Sequence, residues 1–264
     1  MSARPTAYYT TDGDDFIPTS IARGPWGETI SGNVLGGLLG YVIDRGYGDP
    51  DLQPARLTVD LFRPAALAPL TIRTEPIRTG RRIRVVDAQA VQGGEVVGRA
   101  SVVLLRRGPA GPTRIWTTPV DIPAPPGPDR VPTDAPMQLV AHGAGSSSDL
   151  SAWRHTGPKH IWLQNVAPLV EGQPMTPFAR AAMAGDVVSS LTHFGQDGLL
   201  YINADYTLTL SRLPEGPEIG LSALTHYSDA GVATGTATLF DRSGPIGSGI
   251  ATALLSPGFA PPDH

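Results

Sequence analysis

"SGNVLGGLLGYVIDRG", Ser31 to Gly46, and "RAAMAGDVVSSLTHFG", Arg180 to Gly195, share an outline, and reading them as copies decides the fold. Gly37 of the first falls on Asp186 of the second, Gly46 falls on Gly195, and beyond them Arg63 falls on Arg212. Each pair is separated by 149 residues. "VLGGLLGYVI" is apolar on every side, the pattern of a helix buried all round.

A strand-like run follows each helix, "ARLTVDLFRP" in the first half and "DYTLTLSRLP" in the second. Thr58, Asp60 and Phe62 alternate with Leu57, Val59 and Leu61, the period of a half-buried strand. Three more strands are predicted in each half: "LTIRTEPIRTG", "RIRVVDAQAVQGG" and "EVVGRASVVLLRR", then "EIGLSALTHYSD", "GVATGTATLFDRSG" and "PIGSGIATALL". The turns "QGGE" and "DRSGP" suit hairpins. A sheet with one apolar face must be covered, and one long helix per half is the available cover. The expected class is α+β, with two tandem copies of a long antiparallel sheet wrapped around a central helix.

Between the copies, Pro109 to Pro136 reads "PAGPTRIWTTPVDIPAPPGPDRVPTDAP". Proline lacks the N–H and fixes φ, so this segment suits an extended linker, partly polyproline II. "HGAGSSSD", His142 to Asp149, extends it as a flexible loop. The expected division is residues 1–108, a linker over 109–150, and residues 151–264.

The 264 residues carry a net charge of -4 and no basic block, which argues against nucleic acid. "RTGRRIR", Arg78 to Arg84, reads as a charged strand turn. With no cysteine, thiolate metal sites, disulfides and cysteine nucleophiles are excluded. "MSARPTAYYTTDGDDF" has no apolar signal region, and no apolar run approaches a membrane span of ~20 residues. A soluble, cytoplasmic protein is expected.

Asp186 shares a helical face with Ser189, Ser190 and His193, so by itself it reads as part of a solvated stripe. The repeat argues otherwise. If the matching helix is enclosed, this one is too, and an enclosed carboxylate costs several kcal/mol without partners. Thr176 is placed as N-cap with Pro177 at the first helical position. Gly185, and Gly36 with Gly37 in the copy, could leave amides open to a ligand carbonyl, but only if the helix starts late or breaks near Ala184.

The six histidines show no metal spacing, and a GxSxG elbow is absent. His193 is assigned a surface role in preference to contact with Asp186. Trp26, Trp116, Trp153 and Trp162 are assigned to packing ahead of lining a groove.

The ordering of paired-glycine helix, strand ending "FRP", three strands, linker and second copy resembles the TesB-like acyl-CoA thioesterases, whose fold is a double hot dog. The likeness spans Gly24 to Arg107 and about Met175 to Leu255. It implies hydrolysis of fatty or related acyl-CoA in fatty acid metabolism, with no cofactor or metal. In that family an Asp on the second central helix, a hydroxyl residue on the next strand and a Gln near the last strand activate a water. The Asp maps onto Asp186. The hydroxyl position falls at Asn203, a departure, and the Gln position at Ala251, with Thr252 or Ser248 as substitutes. The paired glycines Gly36, Gly37 and Gly185 are expected at the substrate carbonyl. Ala251 leaves a second reading, a non-catalytic binder of acyl-CoA or lipid. A hot-dog hydratase ranks last, because Asp186 and His193 are too far apart on a helix. A homodimer is left open.

Overall fold

A computed structural model describes residues 6–109, 111, 115–116, 119–120, 123–125, 135–142, 146–147 and 150–256. The elements of the first half are β1 (Tyr9–Asp12), β2 (Asp15–Pro18), α1 (Gly32–Tyr47), β3 (Leu52–Leu61), β4 (Leu70–Thr79), β5 (Ile83–Gln92) and β6 (Glu95–Arg106). There follow β7 (Met137–His142), β8 (Ser146–Ser147), β9 (His160–Asn165), α2 (Pro177–His193), a two-stranded hairpin of β10 (Phe194–Gly195) and β11 (Gly198–Leu199), then β12 (Tyr201–Leu210), β13 (Glu218–Asp229), β14 (Val232–Asp241) and β15 (Gly244–Leu255).

Thirteen of these strands form one antiparallel sheet in the order β1-β2-β4-β5-β6-β3-β12-β15-β14-β13-β9-β7-β8. The sequence repeat is visible in its middle. β3 pairs with β12, and Thr58 stands opposite Thr207. Those two residues are 149 apart, the repeat length, and their hydroxyls meet at 3.0 Å. A pseudo-twofold axis therefore passes between them, and each half contributes four consecutive strands on its own side.

The helices cover the inner face. Leu38, Leu39 and Ile43 of α1 and Phe178, Ala182 and Val188 of α2 are essentially solvent-free. Thr176 caps α2 by accepting from the Ala179 N–H at 3.1 Å, with Pro177 leading the helix. The helices run antiparallel, with Gly32 against Asp186 near one end and Gly40 against Ala182 further along. On the outside, "RTGRRIR" forms the turn between β4 and β5, and Arg84 Nη1 donates to Tyr47 O at 2.6 Å.

Two features were not expected. β7 and β8 lie inside the stretch assigned to the linker, and with β9 they extend the second half's sheet. Most of Pro109–Pro136 and of "HGAGSSSD" lies outside the described residues. β1 and β2 add an edge to the first half, where Tyr9 bridges to Val170 of the second.

Candidate active site

A cavity of about 540 Å³ opens where the two halves meet. The first half gives it the start of α1, the loop before it and the end of β3. The second gives the middle of α2, the start of β12, and Met137, Leu139, Trp153 and Ile161. Its walls are mainly apolar and aromatic, with few polar groups, the make-up of a small-molecule site.

Asp186 stands at this junction. Small neighbours such as Ala182 and Ala184 let α2 lie close to the sheet and to α1, so the carboxylate faces the head of α1. It is partly buried and lines the cavity. Asn203 Nδ2 donates to Asp186 Oδ1 at 2.9 Å. The backbone N–H of Asn33, in the first turn of α1, also donates to the carboxylate. Burial pushes the carboxyl up from 3.8 to about 6, while the bonds from Asn203 and Asn33 pull it down. A base in that range is ionised at neutral pH yet can take a proton.

A β-bulge aims Asn203. Tyr206, Leu208 and Leu210 point inward, and strict alternation would send Asn203 outward. The register with β15 slips between Asn203 and Asp205, leaving Ala204 exposed and Asn203 turned toward Asp186. The first half has the same slip 149 residues earlier, between Pro54 and Arg56. At the positions of Asp186 and Asn203 that half carries Gly37 and Pro54, which offer neither acid nor amide. A Cβ on Gly37 would overlap the Met183 side chain, which fills the space.

The expected glycine contacts require correction. Gly36, Gly37 and Gly185 lie in helix interiors, where amides are used along the helix, and none lines the cavity. A Cβ on Gly36 would overlap the Tyr206 hydroxyl, and one on Gly185 would lie 2.7 Å from its ring. These two glycines make room for Tyr206, which is buried and donates to Ala182 O at 2.8 Å. Gly32 and Asn33, which begin α1, do line the cavity; the Asn33 N–H is given to Asp186, and those of Val34 and Leu35 go to Ser31 O at 3.0 and 2.9 Å.

Thr252 is also corrected. Its hydroxyl and its N–H both donate to Asp205 Oδ1, at 2.8 and 2.9 Å, on the outer face of the sheet. Neighbours on a strand point to opposite faces, and Ala251 and Ala253 are the inward ones. Ser248 is exposed, paired with Thr209 at 2.9 Å. Ala251 is buried and does not line the cavity.

His193 is buried rather than superficial and lies in a second cavity with His226. Burial, then the nearby His226, depresses it to about 4. Trp153 is fully buried and, with Trp26, lines the cavity of Asp186. Trp162 packs edge-on to Phe240, whereas Trp116 is 82% exposed. Sequence reasoning missed Gly32 and Asn33; the visible signal was a small and a polar residue heading an apolar helix.

The family model for the acyl-CoA thioesterase N-terminal domain matches residues 22–105, and that for the C-terminal domain matches residues 100–255. Among solved structures, a conserved protein of unknown function with hot dog fold from Alicyclobacillus acidocaldarius is 17% identical, with a TM-score of 0.70 over 95% of this chain and 96% of that one. The tesB protein of Mycobacterium avium subs paratuberculosis is 13% identical, with a TM-score of 0.67 over 92% and 93%. Acyl-CoA thioesterase II TesB2 from Mycobacterium marinum is 15% identical, with a TM-score of 0.61 over 94% and 96%. At these identities the likeness carries the fold, a double hot dog. No curated protein matches the sequence. No helix of the described residues is long and apolar enough to cross a membrane.

Proposed function

The chain belongs to the acyl-CoA thioesterase family, and from that premise we propose that it hydrolyses fatty or related acyl-CoA with Asp186 as general base. One observation carries this reading: a single carboxylate, raised to about 6 by burial, stands between an apolar cavity and the head of a helix.

The acyl chain would lie along Leu35, Leu61, Leu139 and Ile161, with Trp26 and Trp153 as walls. The thioester carbonyl would lie beside Gly32 at the head of α1, where a helix N-terminus favours developing negative charge. Asp186 would draw a proton from a water, whose oxygen attacks the carbonyl carbon. The tetrahedral intermediate then expels the CoA thiolate, which recovers the proton from Asp186. Asn203 holds the carboxylate in place through its 2.9 Å bond.

A second reading has one observation behind it. Ala251, Thr252 and Ser248 put no polar side chain at the cavity, as a non-catalytic acyl-CoA binder would have it. Free-thiol release from acyl-CoAs of short to long chain separates the two. Turnover on part of the panel supports the hydrolase. Thermal stabilisation by acyl-CoA with no thiol release on any substrate supports the binder.

A further inference from the structure

The cavity of Asp186 has an open rim and a closed end. Phe62, Arg63, Pro64 and Leu254 on its lining are exposed, whereas Trp153, Ile161 and Leu199 are buried. A charged CoA stays with solvent, because burying its phosphates is costly. CoA therefore leaves by the rim, and the acyl chain points toward the closed end.

Two elements trace the way to that end. α2 and β12 run antiparallel: Tyr206 bonds to Ala182 O, Asn203 bonds to Asp186, and the Tyr201 ring lies 5.8 Å from that of His193. Tyr201 and Asn203 pair with β15 in unbroken register, so they share a face of the strand, about 7 Å apart. Beyond Tyr201 a second cavity of about 510 Å³ begins, and Tyr201 is the one described residue that lines both. Trp153 of the first cavity packs edge-on to Phe194 of the second, with centroids 5.8 Å apart. Edge contacts to His193 and His226, at 5.8 and 5.9 Å, hold the Tyr201 ring in place. The second cavity carries Lys159, His193 and His226, unlike the apolar end of the first. A wall between the two needs an apolar body and a polar tip, which tyrosine supplies.

Resting on hydrolysis at Asp186, we propose that Tyr201 sets the upper limit of acyl-chain length and makes this a thioesterase of short- to medium-chain acyl-CoA. The step from Asn203 to Tyr201 spans about five or six carbon–carbon bonds of an extended chain. A longer chain meets the ring, which its neighbours keep from swinging away.

The test measures kcat/KM from acetyl-CoA to palmitoyl-CoA for wild type, Tyr201→Ala, Tyr201→Trp, Phe62→Ala and Asp186→Asn. The readout is the ratio of palmitoyl-CoA to octanoyl-CoA within one preparation, which a loss of folded protein does not move. Wild type should favour octanoyl-CoA. Tyr201→Ala should raise the ratio about tenfold or more, and Tyr201→Trp should shift the optimum to shorter chains. Phe62→Ala, at the rim, should not lengthen the preference. If Tyr201→Ala does not fold, Tyr201→Leu takes its place beside Tyr201→Trp. An unmoved ratio in the Tyr201 variants, with Asp186→Asn inactive, overturns the role of Tyr201 and leaves the base standing. A wild type that is best on palmitoyl-CoA overturns it too, as does lengthening by Phe62→Ala in place of Tyr201→Ala. No thiol release by wild type on any chain, or equal turnover in Asp186→Asn, overturns both.

Discussion

A methyl group on Gly32 would stand 2.8 Å from Oδ1 of Asp186. The missing side chain at the head of α1 is what admits the acid of α2. The carboxylate cannot easily step aside, because Asn203 and the Asn33 amide hold it. The site thus depends on the docking of the two halves.

Gly32→Ala should therefore displace the carboxylate while leaving the fold intact, and kcat should fall about 100-fold. Gly46→Ala is the control: no atom lies within 4 Å of a Cβ built there, on an exposed turn of α1. It should add about 0.5–1 kcal/mol of stability and leave turnover unchanged. Steady-state kinetics with thermal melts of both variants check the pair.

The Asp186 carboxyl near 6 fixes a pH dependence. The base works when ionised, so kcat/KM should rise through about pH 6 as one group and level off above it. Stability follows the opposite course. The folded carboxyl holds its proton more tightly than the ordinary value of 3.8, so enclosure costs nothing below about pH 4 and its full amount above about pH 6. Asp186→Asn should then be the more stable protein at neutral pH, by up to about 3 kcal/mol. Melts across this range should show the difference shrinking toward pH 4.

Asn203→Ala removes the bond that lowers the Asp186 carboxyl. The acidic limb of kcat/KM should move to higher pH, and the plateau should fall about tenfold or more. A pH–rate profile of the variant reads both effects. An unmoved limb would mean that Asn203 does not support the ionised acid.

Gly36→Ala probes the packing role of the paired glycines. Its Cβ would overlap the Tyr206 hydroxyl, a fully buried group already bonded to Ala182 O. Overpacking of this kind should cost about 1–3 kcal/mol. Turnover per folded molecule should change little, since Gly36 does not line the cavity. Denaturant melts and active-site-normalised kinetics separate the two effects.

Much of this architecture was legible in the residues themselves. The 149-residue offset reappears as the Thr58–Thr207 axis, and the strand runs fold as β3 to β6 and β12 to β15. β7 and β9 were not legible, because they are short and follow a proline-rich stretch. Asp186 stood out because its copy is so apolar. The glycines were misassigned for a definite reason: an all-apolar helix does not show which neighbour presses on which face. Tyr206 presses on Gly36, and Asp186 on Gly32. Periodicity also fails at a bulge, so alternation alone would have turned Asn203 outward. It holds where the ladder is regular, and there it would have turned Thr252 outward correctly.

The central claim is that Asp186 activates the water. The most direct measurement is free-thiol release by wild type and Asp186→Asn on the same acyl-CoA panel at neutral pH. The expected result is turnover in wild type that falls about 100-fold or more in the variant, with the fold retained. Equal turnover in the two proteins would contradict it and place the chemistry elsewhere.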